Sequence, residues 1–408
     1  MTTWIHAERL ISGPLWQPVE SPWVRVVDGV IAQIGEEPSA TDDARVLDFP
    51  GATLMPGLID GHAHLAFIGD GTPMADIVHD DDATIQFRAL SNAQVTLASG
   101  VTTVRDCGGP GFTVPAVRDA IARGAAVGPR ILSCAMPITT TAGHLHYCGA
   151  ETDSVAALRK RVRTFARRGV DFIKVCATGG NNTPRSNIFA PQYSPRELTA
   201  LVQDAHRLGL HVASHALSRD GIVVSVDAGV DTVEHCTWFS PDGTDYDPDT
   251  VERMKQRGIY AGYNFSGPLA DALGDDGRLD ADQVHDITTP LRRQMRDAGA
   301  PFFVTTDAGI PRMPHGNFAL SVEAAGVLMG LTAEEALAVA TCDPATAFGD
   351  ATIGTLEVGK RADILVLDAD PLDHLSALRD VRAVLRDGVV CAEGRDGVTW
   401  LRGSEDSS

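Results

Sequence analysis

Across its middle the chain repeats one arrangement: a short apolar run, an amphipathic stretch, then the next apolar run. The apolar runs fall at 58–64, 101–106, 130–135, 170–176, 210–215, 230–235, 258–263 and 301–307. They are short and bounded by turn residues, which predicts strands. Between them, 83–98, 114–123, 154–168 and 194–208 carry helical periodicity. Ser194-Pro195-Arg196-Glu197 is a well-formed helix start, with a capping serine, proline at the first position and glutamate at the third. Ala98-Ser99-Gly100-Val101 and Arg168-Gly169-Val170-Asp171 each close a helix with glycine and enter the next strand. Eight strands each followed by a crossover helix, over roughly 280 residues, fit an α/β protein of the (β/α)8 TIM-barrel type. An open doubly wound sheet is the competing architecture, but the Gly-x-Gly-x-x-Gly phosphate turn expected of it is absent.

The two ends read differently. Short strands are predicted at 4–6, 24–27, 30–34 and 45–48, with Asp28-Gly29 as a hairpin turn. The C-terminal part gives strands over 362–368 and 381–390. Both termini together therefore predict a small β-sandwich domain, 1–55 plus 352–402, around a barrel at 56–351. The tail 401–408 is polar and expected to fray.

Composition narrows the partners. Asp and Glu number 54 against 34 Lys and Arg, a formal charge of −20 that disfavours nucleic acid or an anionic membrane as partner. Seven scattered cysteines form no Cys-x-x-Cys, so neither a zinc finger nor a disulfide framework is indicated. The first residues lack a basic region followed by an apolar one, and no apolar run approaches the ~18 residues that span a bilayer. The expectation is a cytoplasmic protein acting on a small molecule.

Candidate chemistry collects where the apolar runs end, the working face of such a barrel. His62 and His64, spaced i and i+2, share one face of the first strand. Lys174, His215, His235 and Asp307 terminate or interrupt later runs, where propensity favours valine or isoleucine. Four imidazoles and an aspartate suit zinc or a similar first-row ion. As an ammonium, Lys174 would repel a metal. Its neutral amine can take up carbon dioxide, and the resulting carbamate can bridge two divalent ions and balance their charge.

These six residues, in this order and at these strand ends, resemble the amidohydrolase superfamily of the binuclear-metal type with a carboxylated lysine. The Pro56-Gly57-Leu58-Ile59-Asp60-Gly61-His62-Ala63-His64 segment and the closing 354–367 segment carry the same resemblance. It implies that His62, His64 and Asp307 hold the more buried ion, His215 and His235 the more exposed one, and that Lys174 bridges them. Ile173-Lys174-Val175-Cys176-Ala177-Thr178-Gly179-Gly180 resembles the branch of Xaa-Pro and Xaa-Arg dipeptidases, which are prolidase-like and related to imidazolonepropionase. Ile138–His144 resembles that branch's loop after the third strand, which implies an electrophilic contact from His144 to the scissile carbonyl.

The implied function is hydrolysis of an amide C–N bond in a dipeptide or N-acyl amino acid by a metal-bridging hydroxide, with Asp307 carrying the proton. Arg185, Tyr193, Tyr263, Asn264, Arg312 and His315 lie in stretches expected beyond the strands and are candidates for substrate contact. Three alternatives stay open: a mononuclear cyclic amidohydrolase or deaminase, a lactone or ester hydrolase, and a non-catalytic scaffold. Homo-oligomers are common in this superfamily, and nothing in the sequence fixes a subunit number.

Overall fold

The computed structural model describes residues 2–35, 37–38, 44–265, 269–274, 277–284 and 286–394, so the polar tail at 401–408 and the expected domain limit at 402 lie outside them. The architecture is mixed α/β. Eight strands run parallel through the middle of the chain: Leu58–Ala63, Val101–Asp106, Arg130–Ser133, Ile173–Cys176, Val212–Ser218, Thr232–Ser240, Tyr260–Asn264 and Phe302–Thr305. The first three form one sheet and the last five another. Isolated parallel bridges link the two sheets at both junctions, Ile138 with Val175 and Ala63 with Ala308. Most of these strands are buried along their length, as expected of parallel strands covered by crossover helices.

The helices sit close to where periodicity puts them: Asp82–Ala98, Thr113–Ala122, Val155–Arg167 and Pro195–Arg207. Ser194 caps the last of these in a full capping box with Glu197.

The termini share one eight-stranded sheet. Its backbone order is Val389–Glu393, Val381–Arg386, Ile364–Leu367, Arg45–Pro56, Thr2–Leu10, Trp23–Val27 and Val30–Gly35, with Val19–Glu20 beside Thr2–Leu10. The Arg45–Pro56 strand is much longer than the 45–48 expected, because Ala52–Pro56 continues it into contact with Ile364–Leu367. Strand alternation gives this sheet two apolar faces. Ile364 and Val366 join a cluster with Ile5, Val24 and Leu54, whereas Leu365 and Leu367 join the core of the parallel strands. The Asp28-Gly29 turn has both residues at positive φ, 49° and 82°, as a two-residue hairpin demands. No helix among the described residues is long and apolar enough to cross a membrane.

Candidate metal centre

The six expected ligands come together. His62, His64, Lys174, His215, His235 and Asp307 line one cavity of about 450 Å³. His62, His235 and Asp307 each offer a donor atom within 4.8 Å of the others. Asp307 Oδ1 is 3.4 Å from Nε2 of both His62 and His64, and those two nitrogens are 3.4 Å apart. The His215 ring centre lies 4.7 Å from that of His235 and 4.5 Å from that of His144.

Backbone geometry aims these groups inward. Asp307, His235 and Cys236 have φ of 56°, 67° and 48°, left-handed values that a non-glycine residue adopts at a cost of about 1–3 kcal/mol. Asp60 ties the first strand to the eighth: it accepts hydrogen bonds from the His62 and Thr306 backbone N–H groups and from the Thr306 hydroxyl. Burial pushes its carboxyl up to about 7 despite those bonds.

Each of the four imidazoles has one nitrogen committed to a fixed oxygen. His62 Nδ1 lies 3.1 Å from Glu234, His64 Nδ1 2.7 Å from the Gly108 carbonyl, His215 Nε2 3.0 Å from the Gly179 carbonyl, and His235 Nδ1 3.0 Å from Asn264 Oδ1. Carboxylate and carbonyl oxygens only accept, so each ring donates there and keeps a lone pair on its other nitrogen. Burial also favours the neutral rings: it draws His62 down to about 3 and lowers His215 and His235. For Asp307 burial pulls upward, but the surrounding imidazoles prevail and hold it well below the usual carboxylate range.

Within the candidate ligand set, Lys174 Nζ and Asp307 Oδ1 are buried without a hydrogen-bond partner. Lone pairs converging from four rings, a carboxylate oxygen and an unpartnered lysine nitrogen are the donor set a pair of divalent cations requires. The residues fit such a group.

His144 lines the same cavity, its ring packed so closely over Gly180 that a β-carbon there would fall 2.4 Å from Cε1. Its Nδ1 is 3.0 Å from the Thr183 hydroxyl, which already accepts the Leu145 N–H. Burial draws His144 down to about 3, so the ring is neutral near pH 7.

Of the six expected substrate contacts, Asn264 alone lines this cavity. Arg185 and Arg312 are exposed on loops and do not line it. Tyr193 is buried and donates its hydroxyl to the Thr152 carbonyl. Tyr263 is fully buried against Met295, its hydroxyl 3.2 Å from the sulfur. His315 donates to the Phe67 carbonyl beside a different cavity.

Sequence reasoning passed over Arg292. It lines the metal-centre cavity, 2% exposed, bonded to Asp286 at 2.6 Å and to the Asn264 carbonyl at 2.9 Å, with its guanidinium near the Tyr263 and Phe265 rings. Leu145, Leu217, Phe239, Ile287 and Ile310 supply apolar wall.

Comparison with known proteins agrees with this geometry. Residues 53–391 match the model of the amidohydrolase family. The chain belongs to that family and is an enzyme of its hydrolase type. It is 28% identical to ochratoxinase of Aspergillus niger over 94% of this chain and 84% of that one. It is 25% identical to imidazolonepropionase of Streptomyces griseus over 86% and 87% of the two chains. Among solved structures, a Xaa-Pro dipeptidase with methionine bound in its active site superposes with a TM-score of 0.82 at 27% identity, covering 97% of this chain and all of the other.

Proposed function

We propose that the protein is a metal-dependent hydrolase that cleaves the amide bond of a small carboxylate-bearing molecule, a dipeptide or an N-acyl amino acid. The eight parallel strands are taken as a closed barrel over 56–351, and the terminal sheet as a sandwich domain from 1–55 plus 352–402. The observation that carries the proposal is the buried, unpartnered Lys174 nitrogen in a cavity shared with four imidazoles and Asp307. A lysine serving only the fold would have its nitrogen paired or in solvent.

His62, His64 and Asp307 would hold one ion, His215 and His235 the other, with Lys174 between them as its carbamate. Two zinc ions bound there would supply Lewis acidity and a water acidified near neutral pH. The residues' own parts follow from their contacts. Asp307, kept anionic, accepts the proton of the attacking water on a carboxylate oxygen and passes it to the departing nitrogen. With the Thr183 hydroxyl as donor to His144 Nδ1, the ring proton sits on Nε2, toward the cavity. A neutral donor there stabilises the negative charge that grows on the substrate carbonyl oxygen. Arg292, which lines the cavity while paired with Asp286, is the proposed contact for the substrate carboxylate and would have to share its guanidinium with that pair. The relatives support this substrate class, since their names include a Xaa-Pro dipeptidase and an ochratoxinase.

The test is a metal count on protein expressed with zinc, joined to a hydrolysis screen of dipeptides, N-acyl amino acids, lactams and lactones. Two ions per chain and turnover of a dipeptide or N-acyl amino acid are expected. One ion per chain would favour a mononuclear cyclic amidohydrolase or deaminase, and no ion at all would end the proposal.

A further inference from the structure

Beneath the candidate ligands lies a charged layer with no direct part in the reaction proposed above. Arg105, on the second parallel strand, is 3% exposed and reaches across the interior. Its Nε donates to the Gly61 carbonyl at 2.6 Å, one terminal nitrogen to the Thr232 hydroxyl at 3.2 Å, and the other to Glu234 Oε1 at 2.5 Å. The rings of Phe172, Phe303 and Phe348 surround the guanidinium at 5.3, 5.3 and 4.3 Å. Glu234 has no exposed surface. Its second oxygen faces His62 Nδ1.

This layer is expensive by construction. Barrel interiors ordinarily fill with branched aliphatics. A desolvated ion pair is seldom more stabilising than apolar side chains of the same volume. Space has also been cleared for it. A β-carbon on Gly262 would fall 2.5 Å from the Glu234 carboxylate, and one on Gly61 2.4 Å from the Phe303 ring. Stability alone gives no reason for a carboxylate here. The Glu234 contact to His62 does.

We infer that Arg105 and Glu234 are positioning residues for the metal centre: Glu234, anchored by Arg105, fixes the His62 tautomer and ring angle so that Nε2 faces the ions. The inference rests on reading this cavity as a metal centre. The geometry gives Glu234 a second lever, because it directly precedes His235 in the chain. Holding its carboxylate therefore also holds the backbone that carries the next ligand. The anion beneath His62 strengthens the donor character of its ring, as carboxylate–histidine pairs do at other metal sites.

Three proteins separate this role from a structural one: wild type, Glu234→Leu, and the double variant Arg105→Met with Glu234→Leu. The single variant leaves Arg105 buried without its anion and is expected to lose stability. The double variant replaces the ion pair with apolar groups and is expected to regain it. Zinc affinity, read by chelator competition, should stay about 10–100-fold weaker in the double variant despite its recovered unfolding midpoint. In the metal-free state, the 15N shifts of His62 should report a protonated Nδ1 and a bare Nε2 in wild type, and a mixture in the double variant. Wild-type zinc affinity in a stable double variant overturns the positioning role, and so does a wild-type His62 with a bare Nδ1. Failure of the wild type itself to take up zinc would instead overturn the metal-centre reading on which this one stands.

Discussion

Replacing Lys174 with methionine should make the metal-free protein more stable and the metal-loaded protein less so. The side chain is 2% exposed and its nitrogen has no hydrogen-bond partner. An unpaired buried polar group costs about 1–3 kcal/mol relative to its hydrated state, and more if it carries charge. Methionine keeps most of the apolar stem, so Lys174→Met removes the cost with little loss of packing. In urea titrations of chelator-treated protein, the variant should gain about 1–3 kcal/mol. At a slope of about 3 kcal/mol per molar, the midpoint rises by up to roughly 1 M. Adding zinc reverses the order. Wild type gains about 4 kcal/mol at a free zinc concentration a thousandfold above Kd, and a variant without the proposed bridging lysine gains far less. The crossing of the two stability orders is the signature, because a lysine that merely packs would give a variant shifted the same way with and without metal. A metal-free variant less stable than wild type, or one that still binds two ions, would refute the reasoning.

Gly180→Ala should drive a β-carbon into the His144 ring; kcat is expected to fall about 100-fold, the scale of losing one donor to a developing oxyanion, with zinc content unchanged by elemental analysis. Arg292→Met should raise KM about 10- to 100-fold for substrates with a free carboxylate and leave the corresponding amides unaffected, measured by steady-state kinetics on matched pairs. The metal-free protein should lose stability as pH falls from about 6.5 toward 3. His62 and His144 are held down to about 3 when folded but titrate near 6.5 when unfolded, so the unfolded chain binds more protons throughout that window. His315, held down to about 4, and His215 and His235, also lowered, act in the same sense; Asp60, raised to about 7, Asp106 and Asp343, each raised to about 6, and Glu323 and Asp363, also raised, oppose them. Chemical denaturation at pH 7, 5.5 and 4.5 checks the slope, and stability flat or rising toward acid would contradict the neutral-histidine assignment.

The strand positions were legible because a strand buried on both faces has no polar alternation to blur it. The apolar runs at 58–64 and 101–106 match Leu58–Ala63 and Val101–Asp106 to within a residue. The same logic exposed the candidate ligands, since a lysine or histidine inside such a run contradicts its surroundings. Arg105 sends the same signal in Thr103-Val104-Arg105-Asp106 and went unread, because a guanidinium has no place in a ligand set. Tyr263 and Asn264 show what adjacency hides. Successive strand residues face opposite ways, so only one of the two could reach the cavity. Gly262 sits against Glu234 inside the strands, which puts Asn264 on the inner face and Tyr263 outside against Met295. Arg292 gave no signal of its own: in Leu291-Arg292-Arg293-Gln294-Met295-Arg296, three arginines look alike until the helix is docked.

Loops defeated the sequence for a related reason. Arg185 and Arg312 were candidates for substrate contact, yet both are exposed at positive φ, 66° and 67°, and neither lines the cavity. A strand fixes direction two residues at a time, whereas a loop residue's direction depends on turns that composition does not specify. The groups that matter most were therefore legible where regular backbone carries them. His144 is the exception that supports the rule. It lies on a loop, but Gly180, Thr183 and the Gln192 side chain, which accepts the His144 N–H at 2.8 Å, pin it from three sides. A loop histidine held that firmly beside a cluster of candidate ligands has lost the freedom that lets surface loops vary. That restraint, rather than its residue type, is the better reason to expect it to touch the substrate.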